Sequence, residues 1–136
     1  MKLFFGSLLL SCFFFSTQAV SCKCLSYAMK DSKPKELIAE FVYPVDLDCG
    51  DWTGEFECND FCFDLFTEIT NNGDLESIPP GEGETSVGQQ ACDTIQKDVE
   101  NVRIGIFSKA CGGDILDTGL RSLQNLCCKE GQFQSC

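Results

Sequence analysis

The sequence predicts a small, disulfide-rich α+β domain that is exported from the cell. Three observations support this prediction: a hydrophobic leader, an even number of cysteines after it, and apolar patterns that switch between the strand and helix periods. At 136 residues the chain is long enough for one ordinary domain and too short for two. We therefore expect one cysteine-rich extracellular domain over residues 20–136.

Residues 1–19 have the pattern of a secretory signal peptide. A single lysine precedes a hydrophobic run from Leu3 to Phe15, and small residues stand at the −3 and −1 positions of a cleavage site after Ala19. Cleavage after Ser21 is the second choice. Because a membrane-spanning helix needs about 20 apolar residues, a membrane anchor is the weaker interpretation of this run.

The cysteine count supports both the leader and the redox compartment. Removal of the leader takes away Cys12, so that eleven cysteines become ten, and an even number in an exported chain is typical of a complete disulfide framework. Five bridges at about 2–4 kcal/mol each would rival the whole stability of a domain, about 5–15 kcal/mol. We predict that the structural disulfides use all ten: Cys22, Cys24, Cys49, Cys58, Cys62, Cys92, Cys111, Cys127, Cys128 and Cys136.

The pairing of these cysteines stays open at the level of the sequence, but four positions are constrained. Cys127 and Cys128 are adjacent, and a ring between neighbours strains the peptide, so they are expected to reach different partners. Residues 22 and 24 would share one face of a strand, and residues 58 and 62 one face of a helix. The terminal Cys136 is expected to tie the tail back to the domain.

The charge is strongly acidic and unevenly distributed along the chain. Without Lys2 the domain has nine basic and 21 acidic residues, a net charge of −12, and no Lys or Arg occurs between Lys35 and Lys97. Nucleic acids and anionic membranes need a basic surface, so neither is expected as a partner. A solvated surface that keeps the protein soluble is the simplest interpretation of the acids.

Three segments are predicted to form a short antiparallel sheet: residues 22–27, 36–45 and 55–58. In the second, Leu37, Phe41 and Tyr43 fall on one face, and Pro44 marks an edge or an end. The third segment is short and follows Gly54.

Two or three helices are expected to pack against this sheet, near residues 60–70, 89–102 and 118–128, because their apolar residues recur at helical spacing. The segment Arg103–Phe107 is predicted as a strand because of Gly105. Between the first two helices, residues 71–90 have four acids and Pro79-Pro80, which predicts a flexible, exposed acidic Gly/Pro loop.

No metal site or cofactor is predicted. From Asp46 the chain resembles the spacing of an EF-hand calcium loop, with acids at positions 1, 3 and 12, but Gly50 and Asp51 are inverted at positions 5 and 6. A zinc site built from thiolates competes with disulfide formation, which is favoured in an exported chain.

No catalytic site is predicted either. The chain has no histidine, which excludes Ser-His-Asp and Cys-His catalysis, and paired cysteines leave no nucleophilic thiol. Carboxylate catalysis is the remaining route, but with 21 acids a suitable pair arises by chance.

The sequence therefore predicts a secreted, disulfide-stabilised, acidic protein that binds a ligand without catalysis, or acts as an effector. Trp52 and Phe63 are the weak candidates for its binding surface, and an unknown protein or carbohydrate is the expected partner. The alternatives are a protease inhibitor, with residues 73–88 as its loop, and a carboxylate-dependent acid hydrolase. The ligand, the oligomeric state and the disulfide pairing are not specified by the sequence.

Overall fold

The computed structural model describes residues 20–81 and 83–136. The predicted signal peptide, residues 1–19, lies outside this part of the chain. Within the described residues the chain forms six strands and two helices: β1 Ser21–Lys30, β2 Lys33–Pro44, α1 Thr53–Ile69, α2 Val87–Ile95, β3 Val99–Ala110, β4 Leu116–Arg121, β5 Leu126–Lys129 and β6 Gln132–Gln134.

The strands form one antiparallel sheet in the order β2-β1-β3-β5-β6, with β4 also paired to β3. Strand β3 lies at the centre, because β1 occupies one of its edges while β4 and β5 share the other. The β1–β2 hairpin turns at Asp31 and Ser32, which both have positive φ (53° and 63°). Two consecutive left-handed residues match the right-handed twist of a hairpin.

Both helices lie on the same face of this sheet. Cys58, Cys62 and Phe66 recur every four residues along α1 and are buried against β1 and β3. Helix α2 buries Cys92 against Ile104 of β3. Because Ile104 and Ile106 are two residues apart in one strand, the two helix cores share this face, called here the helix face.

Local side chains fix the ends of the helices. The Asp51 carboxylate accepts a hydrogen bond from the backbone N–H of Thr53 at 2.7 Å, and hydrogen bonding with the Thr53 side chain and backbone lowers the pKa of Asp51. At the start of α2 the Ser86 hydroxyl accepts from the backbone N–H of Gln89 at 3.1 Å. Helix α2 ends where Gln96 adopts a left-handed conformation, with φ of 57°.

The opposite face of the sheet has a smaller core of its own, formed by Leu25, Met29 and Phe107. Tyr27 stacks edge-on against the Phe107 ring at 5.4 Å between centroids, and the Arg121 guanidinium lies 5.4 Å from the same ring. The helices do not cover this face, which is called here the open face.

The predicted small disulfide-rich α+β domain is confirmed, with a larger sheet than expected. The strand predicted at residues 55–58 is wrong: these residues are the first turns of α1, which runs from Thr53. The alternation of Phe56 and Cys58 resembles a strand pattern. In the structure Cys58 and Cys62 lie on one face of α1, and each forms a disulfide with a cysteine of β1.

The helix predicted at residues 118–128 is also wrong, since this segment contains most of β4 and most of β5. Gly119 has φ of +85°, which a helix does not accommodate, and Leu123 is exposed rather than inward-facing. The helix predicted at 89–102 is α2, which begins at Val87 and stops at Ile95. Val99 and Val102 belong to β3, where they pair with Cys128 and Leu126 of β5.

Within the described residues, no helix has the length and apolar character needed to cross a membrane.

Candidate functional site

An apolar cavity of about 350 Å³ lies between the helix face of the sheet and the two helices. Its floor is a row of paired residues across three strands, in which Ser26 of β1 stands opposite Ala39 of β2 and Ile106 of β3. Directly paired residues in a sheet point to the same face, so all three side chains face the helices. The floor therefore consists of small and aliphatic side chains around one hydroxyl.

The walls of the cavity come from both helices and from the segment between them. Helix α1 contributes Phe66 and Ile69, and α2 contributes Ala91. The connecting segment adds Leu75, which is 2% exposed, and Pro79, which is also buried. The cavity is therefore lined by parts of the chain that are distant in sequence.

Hydrogen bonds hold the connecting segment against the cavity. The backbone N–H groups of Val87 and Gly88 donate to the carbonyl oxygens of Ser77 and Leu75, at 2.8 and 2.7 Å. The backbone N–H of Leu75 also donates to the side-chain oxygen of Gln124 at 2.8 Å. The interpretation of residues 71–90 as wholly exposed therefore needs correction at Leu75 and Pro79; its flexibility stays a prediction.

A turn at the end of α1 closes one end of the cavity. Gly73 has φ of +88°, and its Cα hydrogen faces the carbonyl oxygen of Arg121, where an added Cβ would collide. The Thr70 hydroxyl donates to the Phe66 carbonyl oxygen and accepts from the Gly73 backbone N–H at 2.9 Å. Only glycine fits this turn, which places α1 against the end of β4.

Most polar side chains at the cavity are already satisfied by the protein. The Ser122 hydroxyl accepts from the Ile104 backbone N–H at 2.9 Å, and the Thr94 hydroxyl donates to the Gln90 carbonyl oxygen at 2.9 Å. Ser26 differs: it is 8% exposed, and within residues 20–81 and 83–136 no hydrogen bond involves its hydroxyl. The Ser26 hydroxyl is therefore the polar group at the floor that remains for a ligand.

Among the described residues, one charged side chain, Arg121, lines the cavity, and it does not direct its charge into it. The Arg121 guanidinium donates to both oxygens of Asp117 and lies over Phe107 on the open face. This ion pair holds the pKa of Asp117 below its usual value. The described residues therefore place no unpaired charge in the interior of the cavity.

All ten predicted cysteines are paired in the structure. The bridges are Cys22–Cys58, Cys24–Cys62, Cys49–Cys111, Cys92–Cys128 and Cys127–Cys136. The expectations that Cys127 and Cys128 reach different partners, and that Cys136 ties back the tail, are confirmed. The first two bridges join β1 to α1, and one end of the cavity lies directly beyond them.

The two aromatic candidates lie away from the cavity. Trp52 is 68% exposed and meets Phe56 edge-on at 5.3 Å between ring centroids, while Phe63 is 39% exposed. Positions 52, 56 and 63 fall within about 40° of one another around α1, at 100° per residue. They form one exposed aromatic stripe, and its role as a binding surface stays a prediction.

Asp48 and Glu57, two acids of the EF-hand-like stretch, lie in different local structures. Asp48 accepts from the backbone N–H of Gly50 at 3.0 Å, and Glu57 lies within α1. The sulfur atoms of Cys22, Cys24 and Cys62 lie within 4.8 Å of one another, but each is in a disulfide, and a disulfide sulfur is not a thiolate ligand.

The sequence did not indicate the cavity residues. Ser26 carried the one usable signal, since it continues the inward face of Cys22 and Cys24 two residues further on, where an apolar side chain is expected. Its opposite neighbours Ala39 and Ile106 became visible only with the pairing register of the strands.

Comparisons of this chain with family models, with curated proteins and with solved structures found no match.

Proposed function

We propose that this protein is a secreted, disulfide-stabilised, non-catalytic binding protein whose ligand is a small neutral apolar molecule. The cavity between the sheet and the helices is the observation that supports this function. Its volume of about 350 Å³ falls in the range of small-molecule sites, about 300–1,000 Å³. Such sites are mostly apolar and contain a few placed polar groups, as here.

The chemistry of the lining favours a neutral ligand. A charged group that entered the cavity would lose its hydration without gaining an opposite charge, which is costly. A single hydrogen-bonding group is accommodated, because the Ser26 hydroxyl can donate to it or accept from it. The best fit is thus a compact hydrocarbon or aromatic skeleton with one hydroxyl, carbonyl or uncharged aromatic amine group.

The remaining parts of the proposal rest on the chain's chemistry. The absence of histidine and the pairing of all ten cysteines of the described domain support binding without catalysis. Five disulfides are compatible with an extracellular location. The inhibitor alternative is less well supported, because Pro79, at the middle of its candidate loop, is buried against the cavity.

The proposal is tested by titration with N-phenyl-1-naphthylamine, a neutral probe whose fluorescence increases in apolar surroundings. We expect saturable binding of one probe per chain. Ala91→Phe places a ring in the cavity and is expected to reduce the affinity by at least about tenfold, equivalent to about 1.4 kcal/mol.

Val42→Phe is the matched control, because Val42 is 56% exposed on β2 and does not line the cavity. This variant should bind the probe as the parent protein does. Absence of saturable binding to the parent protein, or equal binding by Ala91→Phe with an unchanged near-UV circular dichroism spectrum, would overturn the proposal.

A further inference from the structure

Both arginines of this acidic protein lie at one corner of the open face. The chain has two arginines, Arg103 and Arg121, separated by 18 positions in sequence, and both line one polar depression of about 380 Å³. Arg103 pairs with Met29 of β1, and Arg121 pairs with Gly105 of β3. These pairings place both side chains on the face that the helices leave open.

The two arginines differ in how their charge is used. The Arg121 guanidinium is held by Asp117 and by the Phe107 ring, so it is fixed in position and partly neutralised. Arg103 is exposed, and it takes part in no ion pair or side-chain hydrogen bond within residues 20–81 and 83–136. A guanidinium with this freedom presents a planar set of N–H donors that matches an oxyanion.

Neutral donors stand beside Arg103 in the same depression. The side-chain N–H of Asn125 donates to the Asn101 side-chain oxygen at 2.9 Å, which orients the Asn101 amide and leaves its own N–H donors available. The hydroxyl of Ser32 lines the depression from the hairpin turn. Three kinds of donor thus converge on one space.

The tip of the β1–β2 hairpin adds three lysines next to this depression. Lys30 and Lys33 stand opposite each other in the pairing of β1 and β2, directly beside Asp31 and Ser32. A side-chain hydrogen bond with Lys30 and the repulsion between the two ammonium groups lower the pKa of Lys35. Two of the domain's nine cations, Arg103 and Arg121, line the depression, and the three lysines flank it on the hairpin without lining it. Asp31 also lines the depression, and Asp117 is paired with Arg121.

We propose that this depression is an anion site that binds a single phosphate or sulfate group through Arg103, Asn101 and Ser32. An oxyanion would relieve the repulsion among the neighbouring cations and accept charge-assisted hydrogen bonds from Arg103. The rest of the protein carries a large negative charge, which repels a long polyanion before it reaches the site. The ligand is therefore a small ion or a monoester rather than a nucleic acid or a polysulfated chain.

This site lies on the opposite side of the sheet from the apolar cavity, and it does not depend on the function proposed for that cavity. Its test is calorimetric titration at constant ionic strength, with sodium chloride as the balancing salt. Inorganic phosphate, inorganic sulfate, glucose 6-phosphate and glucose 6-sulfate are titrated separately, and glucose is the uncharged control. The four anions distinguish a free ion from an ester and a phosphate from a sulfate.

We expect saturable binding of at least one of the four anions and none of glucose. Arg103→Gln removes the unpaired guanidinium from an exposed position and should weaken that binding by about tenfold or more, since hydrogen bonds to charged groups contribute about 1.5–3 kcal/mol. Lys109→Gln, an exposed cation on the same strand outside the depression, removes the same charge and should change the affinity less than twofold.

Three results would overturn the anion site. One is the absence of saturable binding of all four anions; another is Arg103→Gln binding as tightly as the parent protein while it melts at the same temperature. The third is an equal loss in Arg103→Gln and Lys109→Gln, which would show a general effect of net charge instead of a site.

Discussion

Ser26 is the residue through which the cavity would distinguish one apolar ligand from another. Its neighbours on the floor, Ala39 and Ile106, offer no side-chain hydrogen bond, and the nearby hydroxyls of Thr70 and Ser122 are engaged with the backbone. A ligand that bonds to Ser26 gains about 1 kcal/mol net, while a pure hydrocarbon leaves that hydroxyl unpaired.

We predict that Ser26→Ala removes the preference of the cavity for 1-naphthol over naphthalene. These ligands share one skeleton and differ by one hydroxyl, so their affinity ratio reports the hydrogen bond to Ser26. The ratio of the affinities for 1-naphthol and naphthalene should be about five times larger in the parent protein than in Ser26→Ala, equivalent to about 1 kcal/mol. Competition with the fluorescent probe measures both ratios.

Folding is not expected to complicate this comparison. Removal of a hydroxyl that has no hydrogen bond within the described residues should leave the melting temperature of Ser26→Ala nearly unchanged. An unaltered affinity ratio in the variant would show that the ligand does not reach Ser26, even if it occupies the cavity.

The proximity of the two arginines could not be predicted from the sequence. Their separation of 18 positions has no helical or strand period that would predict a meeting. They come together because β4, which carries Arg121, pairs with β3, which carries Arg103, in a register that depends on the whole sheet. The overall charge of −12 predicted no basic surface, so these two neighbouring arginines were not expected.

Two adjacent disulfides join helix α1 to strand β1. Cys22–Cys58 and Cys24–Cys62 connect residues two apart on the strand with residues four apart on the helix. The sulfurs of Cys22 and Cys62 are 3.7 Å apart. Each bridge therefore keeps the two elements together when the other is removed.

This arrangement predicts a non-additive loss of stability. With Cys22–Cys58 intact, the second bridge closes a ring of only about eight residues, worth about 2.5 kcal/mol by loop-closure entropy. Without Cys22–Cys58, the second bridge closes a loop with a sequence separation of 38, worth about 3.9 kcal/mol. Removal of both bridges should thus cost about 1.4 kcal/mol more than the two separate losses combined.

The measurement is urea unfolding of Cys22→Ala/Cys58→Ala, of Cys24→Ala/Cys62→Ala and of the fourfold variant. The Cys127–Cys136 bridge supplies the control, because it spans only nine residues at the other end of the domain. Its removal should add to either loss without coupling. Simple additivity between the two adjacent bridges would contradict the prediction.

The same elements explain which parts of the fold the sequence could predict. Local periodicity indicated β1, β2, most of α1 and the start of α2, because their apolar faces repeat within a few residues. Residues 55–58 and 118–128 were assigned incorrectly because long-range contacts decide them. The disulfide with Cys22 of β1 determines which way Cys58 faces, and pairing with Val102 of β3 places Leu126 in a strand.

For the whole molecule, the disulfides connect every layer of the fold. Two bridges join β1 to α1, one joins the segment before α1 to the end of β3, one joins α2 to β5, and one fixes the tail. The cores between these layers are small and separate: the largest contains four cysteines among its eight buried residues. Much of the buried apolar surface is thus made of the bridges themselves.

Complete reduction is therefore expected to unfold the protein without denaturant. Five bridges at about 2–4 kcal/mol each amount to about 10–20 kcal/mol, which equals or exceeds the total stability of a typical domain, about 5–15 kcal/mol. Treatment with dithiothreitol should abolish the near-UV circular dichroism signal and the cooperative melting transition, and with them the binding of the apolar probe.

Alkylation followed by mass spectrometry shows whether reduction is complete, since ten thiols of the domain should become labelled. Four of the cysteines, Cys22, Cys24, Cys58 and Cys62, are 0% exposed, so their labelling itself requires the structure to open. If all ten cysteines were labelled and the melting curve stayed unchanged, the noncovalent packing around the cavity would have to stabilise the fold alone, and the disulfides would not be its main support.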